Sequence, residues 1–196
     1  MKKLAAVLVL AVAVSAQAAK MTHVVGQEFP AVDTVDLLSG AKVNLKDTLA
    51  KKEVQGVVVF FTSYTCPVAL AYEERINELA EKHKGKVPFI ALNANANENG
   101  DQQTTHAKEK GLKFAVGIDK GSDAAKKIGA SATPEFYLIG KDGKVVYHGP
   151  LDDSQDPQHI DKKLLASAIE NHLAGKEIPA DDREVQAFGC GIKFPK

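Results

Sequence analysis

Residues 57–61 form an unbroken run of β-branched and aromatic side chains, Val-Val-Val-Phe-Phe. Successive side chains of a β-strand point to opposite faces of its sheet, so this run is apolar on both faces. Such a strand is stable where both faces are covered, as in the middle of a largely parallel sheet with helices on either side. The run therefore predicts an α/β architecture.

Helical and strand patterns alternate along the rest of the chain. From Tyr72 the apolar side chains recur at the spacing of a helix, which is expected to end at Lys84 and Gly85. We predict further strands at 89–92, 114–118, 136–139 and 145–147, further helices ending near 110 and at 122–129 and 160–173, and an entry hairpin at 35–45. This order predicts a central mixed sheet flanked by helices, in one domain spanning residues 20–196.

Residues 1–19 have the pattern of a secretory signal peptide. Two lysines precede the small-apolar run 4–14, and alanines at 16 and 18 fit a cleavage site. The run is shorter than the about 20 residues that a membrane helix needs. The alternative is that the segment remains as an N-terminal membrane anchor. We expect export to the periplasm or beyond, with no membrane span in the mature chain.

Composition removes several classes of function. The chain carries 25 Lys+Arg against 25 Asp+Glu, so it lacks the basic excess expected of a nucleic-acid binder. Two cysteines are too few for a disulfide-stapled scaffold or a four-thiolate zinc site. The six histidines lack metal-ligand spacing, and we expect no metal or cofactor. Asp152, Asp153 and Asp156 could bind calcium but fit a solvated acidic loop better.

Cys66 lies between the buried strand at 57–61 and the helix that follows. Thr65 or Cys66 is expected to cap this helix, with Pro67 at its first position, where proline is favoured. The sulfur then faces unpaired backbone amides and the positive end of the helix dipole, which lower the pKa of a thiol from about 8.5. The position predicts a nucleophilic thiolate; the alternative is an inert buried thiol.

Two further stretches carry a resemblance to a known superfamily. Thr133-Pro134 opens TPEFYLIGKDGKVVYHG, and the chain ends in AFGCGIK followed by Phe194 and two further residues. With Cys66 at a strand-to-helix junction, residues 27–196 resemble the thioredoxin-like superfamily. The tail resembles peroxiredoxin-like proteins of the alkyl hydroperoxide reductase and thiol-specific antioxidant group. The resemblance implies a thioredoxin-like fold in which Pro134 is cis and Thr133 offers its backbone to an extended partner.

The sequence departs from the patterns of these families at three points. Thioredoxins carry a CxxC pair, and here Ala69 stands at the second position. Peroxiredoxins typically have a proline seven residues before the cysteine, where this chain has Val59, although Ser63 fits their hydroxyl position. They also place an arginine near the strand at 136–139, but the chain holds only Arg75 and Arg183. These departures leave the choice between peroxide and disulfide chemistry open.

The C-terminal tail, residues 175–196, carries the second cysteine. Phe188, Cys190, Ile192 and Phe194 fall on one side of an extended segment, so we expect the tail to dock on a sheet edge or over the active-site end. There Cys190 would resolve an oxidised Cys66. The alternatives are a permanent structural disulfide and two unpaired thiols, and pairing within one chain or between two chains stays open.

Together these features predict an exported, peroxiredoxin-like thiol redox protein with two catalytic cysteines. Its substrates would be a peroxide or a protein disulfide, and a thiol would reduce it again. The alternatives are a thiol-disulfide oxidoreductase acting on protein partners and a non-catalytic protein with a structural disulfide. The supporting residues are expected to stabilise the thiolate or form the substrate platform; they are Thr62, Ser63, Thr65, Pro67, Thr133 and Pro134.

Overall fold

The computed structural model describes residues 23–196, so the expected signal peptide lies outside the described residues. The strands are β1 (Asp33–Val35), β2 (Lys42–Asn44), β3 (Gly56–Thr62), β4 (Phe89–Asn93), β5 (Ala115–Ile118), β6 (Ala132–Thr133), β7 (Glu135–Gly140), β8 (Val145–Gly149) and β9 (Cys190–Gly191). The helices are α1 (Leu45–Ala50), α2 (Pro67–His83), α3 (Gly100–Glu109), α4 (Asp123–Ile128), α5 (Leu164–Leu173) and α6 (Ala180–Arg183).

Five strands form the central sheet in the order β5-β4-β3-β7-β8. β3, β4 and β5 are parallel, whereas β7 pairs antiparallel with β3 and β8 antiparallel with β7. The predicted mixed sheet, with antiparallel strands at one side, is confirmed. β3 lies in the middle, and the run 57–61 is buried at every position, as an apolar strand covered on both faces requires.

Alternate residues of β3 belong to two different cores. Val57, Val59 and Phe61 pack on the face that α1 and α4 cover. Val58 and Phe60 pack on the opposite face, where α2 and α5 contribute a second cluster of buried side chains. The fold is therefore an α/β sandwich with helices on both faces, as the period-2 pattern predicts.

Several boundaries differ from the prediction, most clearly at β1 and α5. β1 ends at Val35, and the next residues form a turn because the Asp36 carboxylate accepts hydrogen bonds from the amides of Leu38 and Ser39. α5 begins at Leu164, four residues later than expected. The preceding residues are held by Asp153 instead, whose carboxylate accepts the Asp161 amide at 3.1 Å. The short helices α1 and α6 were not predicted.

The C-terminal tail docks through strand β9. It pairs antiparallel with β6, so that Cys190 lies opposite Thr133 and Gly191 opposite Ala132. Ile192 is buried and donates its amide to the Ser131 carbonyl at 3.0 Å. The expectation of a docked tail is thus met, but Phe194 remains 39% exposed rather than joining the apolar side.

None of the helices within residues 23–196 is long and apolar enough to cross a membrane.

Candidate active site

Cys66 sits at the junction of β3 and α2. It occupies the N-cap of α2, and Pro67 is the first helical residue, as expected. Proline suits this position because its missing N–H leaves no orphaned donor and its fixed φ matches the helix. The side chain of Cys66 is buried, with only 2% of its residue surface exposed. The helix start therefore presents a sulfur that the rest of the fold covers.

Three groups surround the Cys66 sulfur. As a thiol it donates to the Thr133 carbonyl across 3.1 Å. As a thiolate it is stabilised by the thiol and the backbone amide of Cys190, by the Ala69 amide in the first turn of α2, and by Thr133. Burial raises the pKa of the Cys66 thiol, but these hydrogen bonds outweigh it and hold the pKa below its usual value.

The pKa of Cys190 shifts in the opposite direction to that of Cys66. Its thiol donates to the Cys66 sulfur, and together with partial burial and the neighbouring negative charge this raises the pKa of Cys190. Both cysteines are free thiols in the structure. The pair therefore favours one proton arrangement, with the thiolate on Cys66 and the proton on Cys190. This polarity suits Cys66 as the attacking sulfur and Cys190 as the resolving thiol.

The Thr133-Pro134 segment holds the two cysteines together. The peptide bond between Thr133 and Pro134 is cis, as the resemblance implies. Thr133 pairs with Cys190 across the β6–β9 ladder, and its hydroxyl donates to the Cys190 carbonyl at 3.3 Å. One residue thus contacts both cysteines, which are far apart in the chain.

Close backbone contacts fix the position of the tail. A Cβ atom placed on Gly189 would lie 2.1 Å from the Thr133 carbonyl oxygen, so only glycine allows the tail to approach this closely. Beyond Cys190, the Lys193 amide donates to the Asn95 side chain at 2.8 Å, and the Ala96 amide donates to the Lys193 carbonyl at 2.7 Å. Backbone contacts therefore fix the tail both before and after Cys190.

The predicted hydroxyl residues contact a carboxylate rather than the thiol. Ser63 and Thr65 both donate to Glu98, Thr65 at 2.6 Å, and the Asn93 side chain donates to the same carboxylate at 2.7 Å. The expectation that Ser63 hydrogen-bonds the thiolate is not met, because its hydroxyl is already engaged by Glu98 and Thr65. This cluster shapes the loop that enters α2.

Thr62 lies beside β4, and Tyr64 contacts α3. Thr62 is half-buried at the end of β3, opposite Asn93. The Tyr64 hydroxyl donates to the Gln102 side chain at 2.7 Å and so faces α3 rather than the sulfur. Glu98 is not among the predicted site residues, because the sequence shows it only as one carboxylate within a polar loop.

Arg75 is bound away from the cysteines. Its guanidinium forms an ion pair with the Asp152 carboxylate, donates to the Gln155 carbonyl at 3.2 Å and lies 4.3 Å above the Tyr72 ring centre. Asp152, considered as a calcium ligand, is thus paired with a cation. Arg183 is exposed on α6. The guanidinium that would polarise a peroxide in peroxiredoxins has no counterpart among the groups that contact Cys66 in residues 23–196.

Glu135 follows the cis-proline but is fully occupied. It is 3% exposed and accepts hydrogen bonds from the amides of Ser131 and Ala132, from the Tyr137 hydroxyl and from His148. Burial raises the pKa of this carboxyl, but the four hydrogen-bond donors outweigh it and leave the pKa below its usual value. A role as a proton shuttle at Cys66 does not fit these contacts.

Residues 24–164 match the family model described as Redoxin. The chain belongs to the redoxin family.

Among curated proteins, this redoxin is 37% identical over 123 residues to the thiol-disulfide oxidoreductase ResA of Bacillus thuringiensis, a stretch covering 62% of this chain and 67% of ResA. Among solved structures it is similar to an uncharacterised conserved protein from Geobacillus kaustophilus, with 26% identity, a TM-score of 0.79, and coverage of 89% of this chain and 94% of that one.

A more distant structure extends the comparison of folds. A putative thiol:disulfide interchange protein DsbE from Chlorobium tepidum has 18% identity and a TM-score of 0.57, covering 77% of this chain and 96% of that one. At this identity the likeness concerns the fold alone. This redoxin therefore has a thioredoxin-like fold with its cysteines on α2 and on the C-terminal tail.

Proposed function

We propose that this redoxin is a thiol-disulfide oxidoreductase in which Cys66 and Cys190 form the redox pair. The observation that carries the proposal is the docking of Cys190 on β6, directly opposite Thr133, whose carbonyl accepts the Cys66 thiol at 3.1 Å. The likeness to ResA, whose name states this activity, supports the same chemistry. The signal-peptide pattern at residues 1–19 supports its placement outside the cytoplasm, where disulfides persist.

The reaction begins with the Cys66 thiolate. It attacks one sulfur of a substrate disulfide, forms a mixed disulfide and releases the first substrate thiolate. Cys190, having lost its proton, then attacks the Cys66 sulfur and releases the second substrate thiolate. The substrate disulfide has gained two electrons and two protons, and the enzyme holds a Cys66–Cys190 disulfide. A thiol reductant then returns the pair to its reduced form.

The buried position of Cys66 adds a conformational step. With the tail docked, a protein disulfide cannot reach a residue that is 2% exposed. The tail must leave β6 before attack, which frees the backbone of Thr133 for an extended substrate segment. It must return for Cys190 to resolve the mixed disulfide. The same tail thus covers the nucleophile and completes the cycle.

Disulfide exchange fits the surroundings of Cys66 better than the peroxide chemistry that we expected from the peroxiredoxin resemblance. Arg75, the arginine on the same helix as Cys66, is bound to Asp152. The groups that stabilise the thiolate are the Cys190 thiol, the amides of Ala69 and Cys190, and Thr133. These groups assist attack on sulfur, whereas a peroxide additionally needs donors that polarise its oxygen–oxygen bond.

The test is to trap the mixed disulfide. The variant Cys190→Ser retains the nucleophile but cannot resolve the intermediate, so incubation with a disulfide-bonded protein should yield a covalent complex through Cys66. The matched variant Cys66→Ser should yield none. If neither variant traps a partner while hydrogen peroxide oxidises Cys66 much faster than a free cysteine, the protein is a peroxidase instead. A reduction potential below about −300 mV would indicate a structural disulfide.

A further inference from the structure

Three titratable side chains form a row beside the tail. Glu135 on β7 and His148 on β8 are each 3% exposed, and Glu184, with a side chain 15% exposed, belongs to residues 184–185, the root of the docked part of the tail. Glu135 Oε1 lies 2.8 Å from His148 Nε2 and accepts the Tyr137 hydroxyl at 2.6 Å. Because an ionised carboxylate only accepts, the proton of this contact belongs to His148 Nε2. The His148 ring also stacks on Tyr137, with centroids 4.7 Å apart, which fixes its orientation.

One end of this row holds the strand on which Cys190 docks. Glu135 Oε2 accepts the amides of Ser131 and Ala132, each at 2.9 Å. These amides lie immediately before Thr133, whose carbonyl faces Cys66. The Glu135 carboxylate therefore sets the position of β6 and, through β6, the distance between the two cysteines.

The other end of the row holds the root of the tail. Glu184 Oε1 accepts the Val24 amide at 2.5 Å and the Val25 amide at 3.1 Å. The next residue, Val185, donates its amide to the His148 carbonyl at 2.9 Å. The same Glu184 oxygen lies 4.0 Å from His148 Nδ1, which finds no hydrogen-bond partner among the residues that the structure describes.

We propose that Glu135, His148 and Glu184 are a positioning network for the redox pair, in which protonation of His148 tightens the hold on the root of the tail. The proposal rests on the proposed function in that it concerns how Cys190 is presented to Cys66. It concerns a part of the molecule that touches neither sulfur.

The physical reason is the placement of one imidazole between two carboxylates. When His148 is neutral, its proton is on Nε2 and its Nδ1 lone pair faces the Glu184 oxygen without a donor between them. Protonation puts a second N–H on Nδ1, which attracts Glu184 while the bond to Glu135 remains. The tail root then binds β8 more tightly. Docking of β9 on β6 is stabilised by Glu135 through β6 and by Glu184 through the tail root.

The other charged and titratable neighbours are consistent with this assignment. The groups facing His148 are Glu135 and Tyr137 from β7 and Glu184 from the tail. His23 contacts Glu184 from the exposed side at 3.0 Å. Burial raises the pKa of the Glu184 carboxyl, but hydrogen bonds from His23 and from the Val24 and Val25 amides outweigh it and leave the pKa below its usual value. Both carboxyl groups therefore ionise more readily than an ordinary glutamate.

The test measures docking of the tail directly. Amide hydrogen-exchange protection factors of Val185 and Ile192, followed by NMR, report how often the tail opens, because protection factors already account for the intrinsic pH dependence of exchange. The measurement uses a Cys66→Ser background, because the Cys66 thiol contacts Cys190 and would add its own pH dependence. We expect protection to rise about tenfold when His148 is protonated as the pH falls, the effect of one hydrogen bond to a charged group. In His148→Gln, whose amide keeps a donor for Glu135 but does not titrate, protection should stay constant.

Two further variants keep the test decisive. Glu184→Gln removes the charge that protonated His148 would attract, so it should also abolish the pH dependence, even if His148→Gln fails to fold. His23→Gln removes only the exposed contact of Glu184 and should retain the dependence. Constant protection in the Cys66→Ser parent would overturn the proposal, as would a pH dependence that persists when either His148→Gln or Glu184→Gln is added to that parent. Failure to trap a mixed disulfide would count against the proposed function alone, because tail docking is measured without a substrate.

Discussion

The closest backbone contact of the tail yields the sharpest prediction. Gly189 precedes Cys190, and a Cβ atom added there would lie 2.1 Å from the Thr133 oxygen and 2.7 Å from the Thr133 carbonyl carbon. Real Cβ atoms essentially never come within 3.0 Å of a heavy atom outside their own and the neighbouring residues. We therefore predict that Gly189→Ala weakens docking of the tail while leaving the rest of the fold intact.

The size of the effect follows from what would have to move. The opposing atoms belong to the backbone of Thr133, which is held by pairing with Cys190 and by the bonds of Glu135 to the preceding amides, so the tail itself must shift by about 1 Å. Overpacking of this kind costs about 1–3 kcal/mol. At about 2 kcal/mol, the fraction of molecules with an open tail rises about 30-fold.

The assay is the rate at which iodoacetamide alkylates Cys66 in a Cys190→Ser background. Since Cys66 is buried while the tail is docked, it reacts through the open form, and its rate follows the population of that form. The control is Gly191→Ala, because a Cβ atom at Gly191 would meet only the Ser131 oxygen at 3.9 Å, an ordinary contact. We expect Gly189→Ala to react about 30-fold faster than the parent and Gly191→Ala to stay near the parent rate.

Two results would contradict the expected effect of Gly189→Ala. If Gly189→Ala reacts at the parent rate, either the contact with Thr133 does not hold the tail or the tail does not cover Cys66. If Gly189→Ala and Gly191→Ala accelerate the reaction equally, the effect comes from stiffening a glycine-rich segment rather than from the close approach. Circular dichroism of both variants separates these results from general unfolding.

Three other changes test the groups around the site. Cys190→Ala removes the donor to the Cys66 thiolate, whereas Cys190→Ser keeps a hydroxyl donor. Ultraviolet titration of the thiolate should therefore give a higher pKa for Cys66 in the alanine variant than in the serine variant. Equal pKa values would show that this donor is unimportant. Hydrogen bonds to Glu135 outweigh burial and lower its pKa, so its contribution to stability is present above the usual glutamate value of about 4.3 and is lost as pH falls through the folded pKa. In Glu135→Gln the unfolding free energy, measured in urea, should therefore fall less steeply in acid; an unchanged slope contradicts this. Arg75→Leu leaves the buried Asp152 carboxylate without its cation and should lower the unfolding free energy by about 3 kcal/mol. The rate of Cys66 alkylation should change little. Loss of Cys66 reactivity in a folded variant would mean that Arg75 activates the thiol.

Patterns within a few residues were sufficient to predict the central architecture. The run 57–61 predicts a strand buried on both faces, and it lies in the middle of the sheet. Proline after Cys66 predicts the start of α2, and it begins at that residue. Such signals succeed because period, capping and turn chemistry act between neighbours in the chain.

Partners of polar side chains were predicted less well. Ser63 was expected at the thiolate and instead binds Glu98, which is 35 residues away in the chain. Glu135 follows Pro134 in the chain, but its partner His148 is 13 residues away. A hydroxyl or a carboxylate can satisfy its hydrogen bonds with many partners, and the choice depends on which segments the fold brings within about 3 Å.

Local backbone preferences and burial of the apolar strand leave few alternatives to the α/β architecture and to a thiol at the start of α2, so both follow from the amino-acid sequence. The alternation of apolar residues also predicts that the tail docks. The place of docking follows from the fold alone: β9 pairs with β6, opposite Thr133. That pairing joins residues 57 positions apart. It depends on backbone groups and on a glycine without a Cβ atom, neither of which leaves a periodic pattern in the sequence.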